Sequence, residues 1–159
     1  WMAMSLAIHR ADLLSGLMLI GSLGVRPDEP MPDLFLMSPQ DALPYLSESV
    51  DIGGVDPMTG DIDLVTALWV EQATQARLMW ERSYDRRAPR RAHHITCPTA
   101  VLWGEADKLL PVEHGRQVAS LVGADFTIVE QAGHFAHLDH PGPVADATRA
   151  FANKIGLTA

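Results

Sequence analysis

The sequence predicts an α/β fold: three parallel strands with flanking helices, interrupted by a helical insertion. Three observations carry that expectation. Short, largely apolar runs at residues 17–20, 99–103 and 126–129 suit strands buried inside a parallel sheet. Segments of helical period separate the last two runs and follow the third, and that order implies right-handed crossovers that lay helices on one sheet. Residues 25–92, in contrast, are crowded with proline and glycine and hold helix-like stretches but no convincing strand.

Taken in order, Met2, Ala3, Leu6 and Ala7 recur at helical spacing, so the chain opens in a helix from Trp1 to about His9. Polar residues from Arg10 to Asp12 break it. Leu17-Met18-Leu19-Ile20, closed by Gly21, is the first strand. Pro27, Pro30, Pro32, Pro39 and Pro44 crowd the start of the insertion, where Ser38-Pro39 reads as a helix cap with proline in the first turn. Gly53, Gly54, Pro57 and Gly60 punctuate its middle. A longer helix is expected from about Asp63 to Glu81, with Leu64, Leu68, Met79 and Trp80 on its apolar faces. Thr99-Ala100-Val101-Leu102-Trp103 is the second strand. Pro111 opens a helix with His114, Val118 and Leu121 on one side, and Gly123 stops it. Phe126 to Val129 is the third strand. Pro143 opens the last helix, with Val144, Thr148, Phe151 and Ile155 on one face before Gly156.

At 159 residues, 47% hydrophobic and 20% charged, the chain has the core of one globular domain. A formal charge of −8, with Lys108 and Lys154 its only lysines, argues against nucleic acid and anionic membrane as partners. Arg10 and Asp12 interrupt the most apolar stretch, Trp1 to Ile20, so a membrane span is not expected there. Nor is a secretory signal, for which a basic start is missing. The single cysteine, Cys97, excludes an internal disulfide framework and points to a reducing, cytoplasmic compartment. Trp1 reads as mid-helix, without a cap, so a segment upstream of it is expected.

Two loops carry chemistry. Asp107 sits just beyond Trp103, after a turn at Gly104, and His134 follows the third strand, after Gly133. Functional side chains gather at the carboxyl ends of parallel strands because the loops there converge on one edge. A carboxylate and an imidazole in that chain order are the second and third members of a nucleophile–histidine–acid triad. The imidazole takes a proton from the nucleophile, and the carboxylate holds its tautomer and stabilises the imidazolium. Separately, each has an ordinary explanation, as a loop aspartate turning the chain toward Pro111 and as a histidine beside a glycine turn. At two consecutive strand ends they read as a pair. The first member is absent: no G-x-S-x-G occurs, and Ser5, Ser15, Ser22, Ser38, Ser47, Ser49, Ser83 and Ser120 have no elbow context. Ser22, in Gly21-Ser22-Leu23-Gly24, is nearest to one but wrongly spaced.

Together, C-P-T-x-V-L-W-G-E-x-D from Cys97 to Asp107 and G-H-F-x-H-L-D-H-P from Gly133 to Pro141 resemble the C-terminal part of the α/β-hydrolase superfamily. The resemblance runs from Cys97 to Ile155. It extends to Leu17–Gly24, similar to the family's sixth strand, and to the opening helix, similar to the one after the nucleophile elbow G-x-S-x-G-G. It implies a partial α/β-hydrolase fold, with residues 1–24 and 93–159 as the C-terminal part of the core and residues 25–92 as a helical lid. It implies that Asp107 is the acid and His134 the general base, and that the serine and the oxyanion donors lie upstream of Trp1. Asp139 falls where the family usually carries an acid and reads as structural. The activity implied is hydrolysis of a small ester, an amide or the carbon–carbon bond of a vinylogous diketone acid, without cofactor or metal. The partners implied are a small-molecule substrate and the N-terminal part of the same fold, which would cover the open edge of the first strand. A non-catalytic, hydrolase-like module that binds a ligand under its lid is the alternative, since it would also lack the nucleophile.

Other clusters read more plainly. His134, His137 and His140 with Asp139, and His93, His94 with Cys97, have metal-ligand character. Yet His140 precedes Pro141 at a helix start and His93-His94 lie on a polar approach to a strand, so no metal is expected. Arg82, Arg86, Arg87, Arg90 and Arg91, interleaved with Glu81 and Asp85, read as a solvated loop rather than an anion site. Trp69 and Trp80 read as lid core. Leu110 and Phe135 are expected in the pocket wall, with Met31, Leu34, Phe35, Leu36 and Met37 making the pocket apolar.

Overall fold

The computed structural model describes residues 1–49, 62–79 and 84–157. Its elements run α1 (Met2–Arg10), β1 (Leu17–Ile20), α2 (Pro39–Leu46), α3 (Ile62–Met79), α4 (Ala88–Arg91), β2 (Thr99–Gly104), α5 (Val112–Val122), β3 (Asp125–Val129), α6 (Ala136–Asp139) and α7 (Pro141–Lys154). The strands form one parallel sheet in the order β1-β2-β3. Leu17 is paired with Thr99 and Ile20 with Leu102, while Ala100 is paired with Asp125 and Gly104 with Val129.

The middle strand suits its place. Ala100, Val101, Leu102 and Trp103 are all 7% exposed or less, and fully burying a large apolar side chain contributes about 1.5–3 kcal/mol. Alternate residues of β2 enter two different cores. Val101 and Trp103 join Met4, Ala7, Leu17, Leu19 and Val118, so α1 and α5 cover one face. Leu102 joins Val129, Ala132, Ala136 and Val144, so α6 and α7 cover the other. The edge strand β3 is drier on one side only, with Asp125 and Thr127 exposed.

Several local expectations hold for identifiable reasons. Ser38 caps α2, its Oγ accepting the Asp41 N–H at 3.2 Å, with Pro39 in the first turn. Gly123 stops α5 in the left-handed region at φ 64°. The described part of residues 25–92 holds no strand, only an isolated bridge between Gly24 and Tyr84. No helix among the described residues is long and apolar enough to cross a membrane.

Helix α1 forms where the spacing predicts it, with Met4 and Ala7 buried while Met2 and Leu6 are 74% and 45% exposed. Other expectations are corrected. The last helix starts at Pro141 rather than Pro143, because Pro141 itself takes a first-turn position where its missing N–H costs nothing. The expected pocket lining is divided: Met31 lines a cavity beside the first core, Leu34 packs on that core, and Leu36 is 85% exposed. A single 3₁₀ turn from Leu34 to Leu36 does not present successive side chains to one surface. Gly53, Gly54, Pro57, Gly60, Trp80, Glu81, Arg82 and Ser83, and the side chains of Leu64, Leu68, Trp69 and Met79, lie outside the described residues.

His114 is a buried polar residue on α5, with its ring edge-on to Trp103. Neither of its nitrogens has a well-formed hydrogen bond among the described residues. Burial pushes its pKa below the ordinary imidazole value, opposed weakly by Gln117 and by the charges of Asp28 and Asp107. The folded state therefore binds this proton less readily than the unfolded chain. Stability is undiminished above about pH 6.5 and declines as the pH falls below it. Thermal melts from pH 7.5 to pH 5 should show a shallower decline for His114→Leu than for the native protein; equal slopes would contradict the assignment.

Candidate active site

Beyond the strand ends, the loops leaving β2 and β3 are stitched together. Glu105 N–H donates to the Val129 carbonyl at 3.0 Å and Ala106 N–H to the Ala132 carbonyl at 2.8 Å. The second loop turns at Gln131, a non-glycine residue at φ 58°, whose N–H donates to the Glu105 carboxylate at 3.0 Å. Gly104 makes the approach possible, since a Cβ there would stand 2.1 Å from the Gly133 carbonyl oxygen.

This stitching brings Asp107 and His134 together. Asp107 Oδ1 accepts the backbone N–H of Leu109 at 2.9 Å and of Leu110 at 2.8 Å. Its other oxygen, Oδ2, lies 2.9 Å from His134 Nδ1. The Asp107 side chain has no exposed surface and that of His134 is 12% exposed. With a carboxylate at Nδ1, the neutral ring carries its hydrogen there and donates it, which leaves Nε2 as an acceptor. Nε2 has no hydrogen-bond partner among the described residues. The end of β1 closes the other side: Gly21 sits at φ 53°, and a Cβ on it would be 2.9 Å from the His134 carbonyl oxygen and 3.3 Å from the ring.

Leu110 is fully buried in the first core, where it also borders a cavity of about 420 Å³ together with Met31, Leu109 and His114, and its carbonyl accepts the Trp103 indole N–H at 2.8 Å. The turn that lets its N–H reach Asp107 also carries its side chain inward. Phe135 is half-buried, its ring centroid 5.6 Å from that of His134. The hydroxyl of Ser22 donates to the Leu23 carbonyl at 2.8 Å. His137, His93 and His94 are exposed, as are Arg86, Arg87 and Arg90. Among the described residues no three histidine, cysteine or acidic side chains gather as metal ligands.

Sequence reasoning placed Asp139 near the site without a partner. Its carboxylate accepts hydrogen bonds from the Gly133 N–H at 2.7 Å, the Glu48 N–H at 3.1 Å, the Ser49 N–H and hydroxyl at 3.2 and 2.8 Å, and the Ser47 hydroxyl. Burial opposes its ionisation, but the bonds from Ser47, Glu48, Gly133 and Ser49 outweigh this and hold it well below the usual carboxylate range. Its contribution to stability is present at neutral pH and is lost as the pH falls below about 4.

A family model described as the alpha/beta hydrolase family matches residues 2–147. The chain belongs to that family. This alpha/beta hydrolase is 28% identical over 100 residues to the 2-hydroxy-6-oxo-6-(2'-aminophenyl)hexa-2,4-dienoic acid hydrolase of Metapseudomonas resinovorans, a match covering 62% of this chain and 31% of that protein. Among solved structures it resembles a membrane phospholipase A described as a bacterial virulence factor, with a TM-score of 0.75 at 18% identity over 96% of this chain and 53% of the other. It also resembles a serine hydrolase involved in carbazole degradation, with a TM-score of 0.69 at 22% identity over 95% of this chain and 58% of the other. The alpha/beta hydrolase chain thus spans only part of each related protein, and its three-stranded parallel sheet with flanking helices is a partial version of the family's fold.

Proposed function

We propose that this chain is the C-terminal portion of a serine hydrolase in which His134 is the general base and Asp107 the acid that orients it. The supporting observation is the Asp107 Oδ2 to His134 Nδ1 contact of 2.9 Å, with two amides anchoring the other carboxylate oxygen. An unprotonated Nε2 takes the proton of a hydroxyl nucleophile, and the imidazolium that forms is stabilised by the buried carboxylate. The nucleophile is a serine on a G-x-S-x-G-G elbow upstream of Trp1, and the oxyanion donors lie with it. Residues 1–24 and 93–159 belong to the catalytic core and residues 25–92 to the lid.

The reaction is hydrolysis of a small ester, an amide or a carbon–carbon bond, through an acyl-enzyme or a closely related attack by water. The M. resinovorans relative favours the third substrate, the carbon–carbon bond of a 2-hydroxy-6-oxo-dienoic acid. The unpaired thiol of Cys97 supports a cytoplasmic setting. Labelling the intact protein with a fluorophosphonate, followed by peptide mass spectrometry, tests the reading. One modified serine upstream of Trp1, with labelling lost in His134→Ala, is expected. Modification of a serine within the 159 residues, or labelling unaffected by His134→Ala, would contradict it.

A further inference from the structure

Resting on the reading of His134 as general base, we propose that Asp139 is a positioning residue that fastens the His134 loop to the segment after α2, so that the seating of the insertion sets the place of the imidazole. The carboxylate gathers donors from both sides. From the histidine loop comes the Gly133 N–H at 2.7 Å. From the insertion come the Ser47 hydroxyl, the Glu48 N–H at 3.1 Å, and the Ser49 N–H and hydroxyl at 3.2 and 2.8 Å.

Two separate contacts repeat the link. Phe135 N–H donates to the Leu46 carbonyl at 2.6 Å, so the residues on both sides of His134 are tied to one short stretch of the insertion. Glu48 pairs with Lys108, next to Asp107, at 2.6 Å. Residues 46–49 therefore touch both loops that carry the pair. The fit is close, since a Cβ on Gly133 would stand 3.2 Å from Asp139 Oδ2 and from Ser47 Cα. A carboxylate suits this junction: it offers about four acceptor sites, and its hydrogen bonds are roughly twice as strong as neutral ones. Because about 1 Å of misplacement costs on the order of 10²-fold in rate, a junction at this distance from the base governs turnover without touching substrate.

The test uses the intact enzyme and three variants. Asp139→Asn keeps the shape but turns an amide NH₂ toward the converging N–H groups. Ser47→Ala with Ser49→Ala removes the hydroxyls on the insertion side and leaves the Gly133 bond. The third combines both. Asp139→Asn should lower kcat by about 10²-fold with KM changed far less. The serine double variant should lower kcat by about tenfold, with a melting temperature lowered less than that of Asp139→Asn, and the combined variant should be no worse in kcat than Asp139→Asn alone, as expected of residues acting as one unit. A wild-type kcat in the serine double variant, or strictly additive effects in the combination, overturns the inference, and the serine variant carries the test if Asp139→Asn does not fold. His134→Ala separates the two claims. If it retains turnover, the general-base reading fails; if it is inactive while the serine variant is normal, only the role of Asp139 fails.

Discussion

Asp107→Asn in the intact enzyme should lower kcat by about 10⁴-fold, and His134→Ala by at least about as much. The magnitude follows from how Asp107 is held. Its Oδ1 accepts two amide N–H groups, from Leu109 and Leu110. In the asparagine variant the side-chain carbonyl oxygen must take that place, because an NH₂ there would face two donors. The NH₂ group is then turned toward His134 Nδ1, which lies 2.9 Å from the native oxygen. The ring must accept at Nδ1 and carry its hydrogen on Nε2, so the atom facing the nucleophile no longer takes a proton. The two backbone amides therefore convert a one-atom substitution into the wrong tautomer, with little change in packing. Steady-state kinetics on an ester substrate and on a 2-hydroxy-6-oxo-dienoic acid measure it. A kcat within tenfold of wild type for either variant would remove Asp107 and His134 from the mechanism.

Gly104→Ala should destabilise the fold by about 3 kcal/mol or more and abolish turnover in whatever still folds. The added Cβ would lie 2.1 Å from the Gly133 carbonyl oxygen and 2.4 Å from that of Ala132. Both obstacles are backbone, so no side-chain rotation relieves them. The loops must part, which strains the Ala106 to Ala132 hydrogen bond and moves His134 relative to Asp107. Gly142→Ala is the matched control, because nothing lies within 4 Å of a Cβ at that position on α7. That substitution should be neutral or stabilise by up to about 1 kcal/mol. Urea melts of the two variants that coincide would refute the collision.

The pair was legible because each member is marked locally. A largely apolar run, a glycine turn and one ionisable residue recur at Trp103-Gly104-Asp107 and at Val129-Gly133-His134. Strand β2 was equally legible, since burial on both faces leaves no polar interruption from Ala100 to Trp103. Helix α6 was not, as its four residues make little more than one turn and leave no room for a spacing to repeat. The junction at Asp139 left still less trace. Its partner Ser47 is 92 residues away, and three of its donors are backbone N–H groups that every residue but proline carries.

A crystal structure of the intact protein with a phosphonate bound covalently to its nucleophile would bear most directly on the proposed chemistry. It should show His134 Nε2 within about 2.6–3.2 Å of the modified serine oxygen, with Nδ1 still bonded to Asp107. An adduct served by another base, or an imidazole turned away from it, would contradict the account.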